Sequence, residues 1–278
     1  MNPELLSILS LLDRTIAIED FNHPEFSLSV RTSATIEFAR ETLARSLDLG
    51  AEIIYPGHPD YPSSFFELEK PPLCLSVIGA RPWKTHPCLS VVGSREPRRE
   101  SLDWMDLHLS SLLERMPNLV LVSGGARGID RKVHQISVRA GMPTVVFLPS
   151  GIGSPYPSDI CEFFDPVISA GGAIISPFLP FQEVRRAFFE ARNRLIASMG
   201  STLFVVEARR RSGSIMTSRL AIEQGRPVGA LPGFPGDIQR AGTIDLIADG
   251  AVLIRDEMDL VAMVSMVSGG DLSPSAAN

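Results

Sequence analysis

The chain has 278 residues, of which 44% are hydrophobic and 21% charged, a composition typical of soluble globular proteins and a length that predicts one large domain with an appendage. The formal net charge of −6 argues against a protein that coats nucleic acid indiscriminately, but it leaves room for a local basic groove. Because the sequence has no apolar run of about 18 residues and its three cysteines form no CxxC pair, we expect no membrane span, no metal site and a reducing, cytoplasmic setting.

The first 50 residues are predicted to form a small helical N-terminal region. Apolar residues recur there at helical spacing, and a second helical stretch, residues 34–47, is followed by Gly50, a residue type favoured just beyond helix ends. The pattern changes at residue 51, so we assign residues 51–265 to the main domain. Small and polar residues dominate 266–278, which predicts a disordered tail.

Seven short apolar runs, rich in β-branched residues, follow one another through the main domain. Such runs suit strands that are buried on both faces of a parallel sheet. Helix-length segments separate them, which predicts βαβ units with right-handed crossovers. We therefore expect an α/β fold with an extended Rossmann-like, doubly wound, mostly parallel sheet and a ligand at the carboxyl ends of its strands. The predicted strands are Cys88–Val92, Leu119–Val122, Thr144–Leu148, Ala173–Ile175, Leu203–Val206, Val228–Leu231 and Val252–Ile254.

A glycine-rich turn between the second of these strands and a helix is a candidate anion site. Residues 123–128 read SGGARG, and Ile129 opens a segment with helical spacing. Glycines let backbone N–H groups converge, and the N-terminus of a helix favours a phosphate. Arg127 adds a bidentate donor suited to that ligand. Taken alone, the segment is equally consistent with a tight turn that carries an incidental surface arginine.

The neighbouring strand ends strengthen this interpretation. Gly93, Ser94 and Arg95 follow the first core strand, where a small residue, a hydroxyl and a guanidinium can hold a phosphate; the alternative is a turn with an exposed arginine. Neither GxGxxG nor GxxxxGK[ST] is present, which disfavours a dinucleotide site and a P-loop ATPase. Several glycine-, serine- or arginine-bearing turns gather along one sheet edge, and together they predict a phosphate-bearing ligand.

A helical segment after the fourth core strand carries Arg192, Asn193 and Arg194. At about 100° per residue, the two arginines point about 200° apart, so they cannot both face one ligand from a regular helix. We expect Arg192 to face the strand-end groove and Arg194 to brace the loops. Four phenylalanines lie nearby, and at least two of them are expected to be core residues: Phe178, Phe181, Phe188 and Phe189.

The sequence gives weaker indications of a catalytic site than of a phosphate-binding site. The GxSxG motif of a nucleophile elbow is absent. Glu207 and Asp245 follow strand-end elements and are the best candidates for acid chemistry. His134 lies one helical turn after Asp130, where local hydrogen bonding is the favoured interpretation.

Several motifs, in order and at compatible spacing, resemble the DNA-processing protein A family, also known as Smf. The resemblance covers roughly residues 50–254. It is carried by GSR at 93–95, SGGARGID at 123–130, LPSGIGSPYP at 148–157, FFEARNRLIA at 188–197, EARRRSGSIMTSRLAIEQGRPV at 207–228, LPG at 231–233 and GTIDLIADGA at 242–251.

The resemblance implies an extended Rossmann fold, a homodimer, and binding of single-stranded DNA in the strand-end groove, without turnover and without a cofactor. It further implies loading of the RecA recombinase onto incoming strands during natural transformation. The arginines among the matched residues are implied to contact DNA, and the glycines and serine to shape the pocket. These implied DNA-binding residues are Gly93, Ser94, Arg95, Gly124, Arg127, Gly128, Arg192, Asn193 and Arg194.

The sequence departs from the family pattern at four positions. Gly125 stands where leucine is usual, Pro177 where an acidic residue is common, and Ile244 where asparagine is expected. Glu190 replaces a proline and places a negative charge near the predicted groove.

Two other functions stay open. A nucleoside-monophosphate phosphoribohydrolase of the lysine-decarboxylase-like Rossmann family carries PGGxGTxxE, which Pro232-Gly233 and Gly242-Thr243 match only in part. The second is a Rossmann-like carrier of a small phosphorylated ligand, without any role on DNA.

Overall fold

One nine-stranded sheet organises the part of the chain that the computed structural model describes, namely residues 3–12, 16–22 and 33–267. Across the sheet the strand order is β1-β2-β6-β5-β4-β3-β7-β8-β9. Strands β3 to β9 pair in parallel, whereas β2 runs antiparallel to both of its neighbours. In chain order the strands are β1 (Glu52–Ile54), β2 (Leu75–Gly79), β3 (Cys88–Val92), β4 (Val120–Ser123), β5 (Thr144–Phe147), β6 (Ala173–Ser176), β7 (Thr202–Val205), β8 (Val228–Ala230) and β9 (Val252–Leu253).

Helices cover both faces of this sheet. One face packs against α6, α7 and α8, and the other against α3, α4 and α9, each through its own buried apolar cluster. This arrangement confirms the predicted α/β, doubly wound, Rossmann-like architecture. The α-helices of the described residues are α1 (Pro3–Ser10), α2 (Ser33–Asp48), α3 (Arg99–Arg115), α4 (Ile129–Arg139), α5 (Phe164–Ser169), α6 (Arg186–Met199), α7 (Gly213–Glu223), α8 (Ala241–Ala248) and α9 (Glu257–Val267).

Each end of strands β3 to β9 lies within one residue of the end that the sequence predicts. Every residue of β3, β4, β5, β6 and β7 is buried, which is why these segments read as unbroken apolar runs rather than as alternating patterns. The N-terminal helices α1 and α2 pack on one another and on β1 through Leu6, Leu9 and Ile53. Residues 268–278 of the predicted tail lie outside the described residues. None of the described helices has the length and apolar character to cross a bilayer.

The connectivity places a crevice between β3 and β7. From β3 the chain winds outward through β4, β5 and β6, and it then returns to add β7 on the opposite side of β3. At such a switch point the loops that leave the two strands diverge, so a ligand can enter outside their carboxyl ends.

Candidate functional site

A groove of about 880 Å³ opens at this switch point. The turn after β3 forms its floor, α6 forms one wall, and the N-terminus of α7 forms the other. It is larger than a single phosphate requires and falls within the range of small-molecule pockets. The lining includes Gly93, Arg95, Asp130, Arg186, Phe189, Glu190, Arg192, Asn193, Ser212, Gly213 and Ser214.

The turn after β3 is tied to both α4 and α7. The Ser214 hydroxyl donates a hydrogen bond to the Gly93 carbonyl at 2.8 Å, and the Ile129 amide donates to the Ser94 carbonyl at 3.0 Å. A Cβ atom added at Gly93 would lie 2.5 Å from the Ile129 side chain. The floor of the groove is therefore backbone, and only glycine allows that backbone to approach α4 so closely.

The glycine turn after β4 packs against the same floor. Gly128 adopts a φ of +84°, and a Cβ atom there would lie 2.3 Å from the Ser94 carbonyl oxygen. At Gly124 a Cβ atom would lie 1.2 Å from Nη1 of Arg192. The contact at Gly124 explains why this position is a glycine. The Arg192 guanidinium occupies the space that a side chain at residue 124 would fill.

Arg192 is a buried cation on α6 that faces a buried carboxylate. Its Nη1 lies 3.7 Å from Oδ2 of Asp130, and the two side chains are only 4% and 10% exposed. Burial lowers the pKa of Arg192 to about 10, an effect that Asp130 opposes and Arg95 increases. Burial likewise raises the pKa of Asp130, against the effects of Arg192 and of backbone hydrogen bonds from Ala126 and Gly124. Within the described residues, Nε of Arg192 is buried without a hydrogen-bond partner.

Arg95 supplies a second, exposed cation at the same place. Its guanidinium carbon lies 5.2 Å from the centre of the Phe189 ring, and that of Arg192 lies 6.0 Å from the same centre. Two guanidinium groups thus share one aromatic ring. With Arg186, the groove lining carries three arginines against two carboxylates, Asp130 and Glu190. This arrangement leaves the groove with a local excess of positive charge, which a phosphate can neutralise.

Several groove residues are absent from the predicted DNA-binding set, among them Arg186 and Ser214, and Phe189 was named only as one of four phenylalanines near the groove. Arg186, Phe189 and Arg192 follow one another at intervals of three residues, so all three lie on one face of α6. That helical spacing was the available signal. The signal for Ser214 was its place in the first turn of a helix capped by Ser212, whose hydroxyl accepts from the Ile215 amide at 3.3 Å.

Other predicted residues lie away from the groove lining. Arg127 is 73% exposed and its Nε points to Asp159 at 3.4 Å. Arg194 lines a separate depression on the other side of α6, beside Glu69 and Lys70, as helical spacing predicts. The expectation for the phenylalanines holds in part: Phe178 is buried and stacked on Phe188 with ring centres 4.1 Å apart, and only Phe189 lines the groove.

Glu207, Asp245 and His134, the residues considered for catalysis, each have a hydrogen-bond or ion-pair partner outside the groove. Glu207 is fully buried, and its Oε2 accepts hydrogen bonds from the Arg98 amide and the Ser101 hydroxyl. Asp245 forms a surface ion pair with Arg210 at 2.7 Å. His134 is buried and bonds to Thr144 Oγ1 at 2.8 Å rather than to Asp130.

A group of possible metal ligands occurs far from the groove, at the β1 edge of the sheet. Oxygen and nitrogen atoms of Glu52, His58 and Asp60 lie within 4.8 Å of one another. Arg81 forms an ion pair with Glu52, and Lys84 forms one with Asp60. Because side-chain cations already neutralise both carboxylates, the group does not have the character of a metal site.

The model of the DNA recombination-mediator protein A family matches residues 52–265 of this chain. A protein named Smf from Synechocystis is 32% identical over 221 residues, which cover 78% of this chain and 54% of that protein. Protein Smf from Escherichia coli is 34% identical over 174 residues, covering 62% of this chain and 46% of that one. The chain therefore spans about half the length of these two curated relatives.

Solved structures show the same fold. DNA processing protein A from Streptococcus pneumoniae superposes with a TM-score of 0.73 at 27% identity, over 94% of this chain and 93% of that one. DNA processing protein A from Helicobacter pylori, described in terms of its single-stranded DNA binding mode, gives a TM-score of 0.69 at 24% identity, over 78% and 96% of the two chains. The motifs, the fold and the family match agree: the chain belongs to the DNA recombination-mediator protein A family.

Proposed function

We propose that the groove binds single-stranded DNA through its sugar-phosphate backbone, independently of sequence. The observation that carries the proposal is the pair of guanidinium groups of Arg192 and Arg95 above a floor of glycine backbone. Arginine presents donors that match phosphate oxygens, and close backbone approach requires glycine at the floor. The relative from Helicobacter pylori supplies the class of ligand, and the groove residues of this chain supply the reason to expect it here.

The dimensions of the groove favour a single strand. A volume of about 880 Å³ accommodates a few atoms of backbone and a base, while a base-paired duplex would have to remain outside. Phe189 faces this volume with a half-buried ring and offers one surface on which an unpaired base can stack.

The biological setting rests on the family. Membership supports a recombination mediator, a binding protein that performs no turnover. As part of the same proposal, the protein loads the RecA recombinase, forms a homodimer, acts in natural transformation and is located in the cytoplasm. The proposed DNA-binding set keeps the predicted residues in three roles. Gly93, Ser94, Gly124 and Gly128 shape the groove, and Arg95, Arg192 and Asn193 line it. Arg127 and Arg194 lie outside the lining and would contact the strand only beyond the groove.

Titration of a fluorescent thymidine oligomer across salt tests the proposal. With about four phosphate contacts, we expect the logarithm of the binding constant to fall with log salt at a slope near −3. Arg95→Ala and Arg127→Ala each remove one exposed cation, so each is expected to weaken binding and to make the slope about one unit shallower.

Arg139→Ala is the matched control. Its side chain is 60% exposed at the far end of α4, where it pairs with Asp106, so the net-charge change is the same and the groove is untouched. Absence of binding by the wild-type protein at low salt contradicts the proposal. Release of free base from a nucleoside monophosphate would instead support the phosphoribohydrolase.

A further inference from the structure

The loop that follows β8 presents two apolar side chains to solvent. In this β8 loop, residues 231–240, Phe234 is 85% exposed and Ile238 is 75% exposed. Both residues stand out among the large apolar side chains of the described residues, most of which are much less exposed. An aromatic ring displayed in this way contributes little to the core and is accessible to a ligand.

The β8 loop is held firmly at its base. Asp237 accepts a hydrogen bond from Arg98 Nη2 at 2.9 Å and another from the Gln239 amide at 3.0 Å. Nη2 of Arg240 donates to the Ser101 hydroxyl at 2.9 Å, and that hydroxyl donates to the buried carboxylate of Glu207. These bonds fix the loop against the N-terminus of α3, so the exposed ring extends from a fixed base.

The groove and the β8 loop lie along the same edge of the sheet. Both follow the carboxyl ends of parallel strands, and β8 is two strands from β3, or about 10 Å at the usual strand spacing. The segment after β7 connects them: Ser212 and Gly213 line the groove, and Arg209 Nε donates to Gln239 Oε1 of the loop at 2.6 Å.

This connecting segment is positively charged. Arg209 and Arg211 are exposed, and neither forms an ion pair with a carboxylate of the described residues. A polyanion that leaves the groove on this side would therefore meet two guanidinium groups that no carboxylate of the described residues neutralises. The carboxyl ends of β3 and β8, about 10 Å apart at the usual strand spacing, lie within the reach of a few nucleotides of an extended strand.

We infer that a single strand bound in the groove continues over Arg209 and Arg211 and stacks a base on Phe234. The inference rests on the proposed function, since it adds one base-stacking surface, the Phe234 ring, to the same binding site. Two isolated apolar side chains are too little for a protein partner, which requires about 800 Å² on each side, but one ring is sufficient for one base. Stacking on an aromatic ring is worth roughly 5- to 150-fold in affinity.

Oligomer length distinguishes this inference from the proposed function. Thymidine oligomers of about 4 and about 16 nucleotides are titrated against the wild-type protein and Phe234→Ala. We expect the variant to bind the short oligomer normally and the long one at least about fivefold more weakly. Phe234→Trp should restore the long oligomer's affinity, because the larger ring stacks equally well. Phe38→Ala is the matched control, since Phe38 is 50% exposed on α2, which packs on β1 at the opposite edge of the sheet.

Each remaining outcome has one meaning. Equal binding of the long oligomer by the wild-type protein and Phe234→Ala overturns the inference and leaves the groove proposal intact. An equal loss on both oligomers also overturns it, because the substitution would then act on the groove. If neither oligomer binds the wild-type protein, the proposed function itself fails. Capture of a protein by the wild type but not by Phe234→Ala, with DNA binding unchanged, would assign the ring to a protein partner instead.

Discussion

The guanidinium of Arg192 and the carboxylate of Asp130 lie 3.7 Å apart inside the groove wall, and Gly124 provides the space in which they meet. The two residues come from different helices, α6 and α4, and the glycine follows β4. One ion pair therefore joins three elements at the mouth of the crevice. Because a buried charge without its partner is costly, the pair is a point where stability and binding are linked.

Asp130→Asn is expected to reduce both properties. The variant leaves the Arg192 charge buried without its counter-ion, which should lower the free energy of unfolding by about 3–5 kcal/mol. The affinity for single-stranded DNA should fall as well, because the guanidinium loses its orientation. Urea unfolding and oligomer titration measure the two effects. Asp245→Asn, in an exposed ion pair with Arg210, serves as control and should change neither. Unchanged unfolding of Asp130→Asn would show that the pair contributes nothing.

Gly124→Ala tests the close contact directly. The added Cβ atom would stand 1.2 Å from Arg192 Nη1, so the guanidinium has to move. We expect a loss of roughly tenfold or more in affinity for single-stranded DNA, the size of one charge-assisted hydrogen bond. Gly213→Ala is the comparison, since its Cβ atom would meet nothing nearer than Asn193 at 3.9 Å. Equal affinities for the two variants would mean that Arg192 does not contact the ligand.

Glu190→Gln should strengthen binding. Glu190 is exposed, lines the groove and stands one helical turn from Arg186, where its charge repels a phosphate. Its removal is expected to tighten binding about threefold at low salt, and the gain should shrink as salt screens it. Glu223→Gln, at the other end of α7, makes the same change in net charge outside the groove lining. A similar gain in both variants would indicate a general charge effect.

His134 is expected to contribute a pH dependence to stability. Thr144 Oγ1 donates to the Leu121 carbonyl, so it must accept from Nδ1 of His134, and the ring is neutral. Burial, with smaller effects of Arg131 and Arg192, lowers the pKa of His134 to about 3. Between about pH 6.5 and about pH 3 the unfolded chain binds a proton that the folded protein does not, so stability falls as pH falls.

The variant His134→Asn keeps an N–H near the position of Nδ1 and removes the titration. Compared with the wild type, its free energy of unfolding should fall less steeply with decreasing pH, by up to about 1.4 kcal/mol per pH unit in that range. Asp130 titrates in both proteins, so its contribution cancels in the difference. Parallel pH profiles would show that the ring is accessible to protons in the folded protein.

The sequence predicted the sheet more fully than the site. Strands buried on both faces are visible as continuous apolar runs, and glycine turns mark where they end. The orientation of Arg127 was not predictable, because the carboxylate that attracts it, Asp159, lies in a short helix after β5 that no local pattern connects to the glycine turn. The role of Phe189 depends on two arginines from different elements converging on one ring, which is a tertiary fact.

Burial of Arg192 also determines when its side chain loses its rotamer entropy, during folding or during binding. An arginine in solvent loses about 2 kcal/mol of rotamer entropy when a ligand immobilises it. Arg192, at 4% side-chain exposure, has already lost that freedom when the chain folds, whereas Arg127, at 73%, has not. The groove therefore offers an incoming strand one rigid cation that costs little to engage, and flexible cations at the rim that adapt to its path.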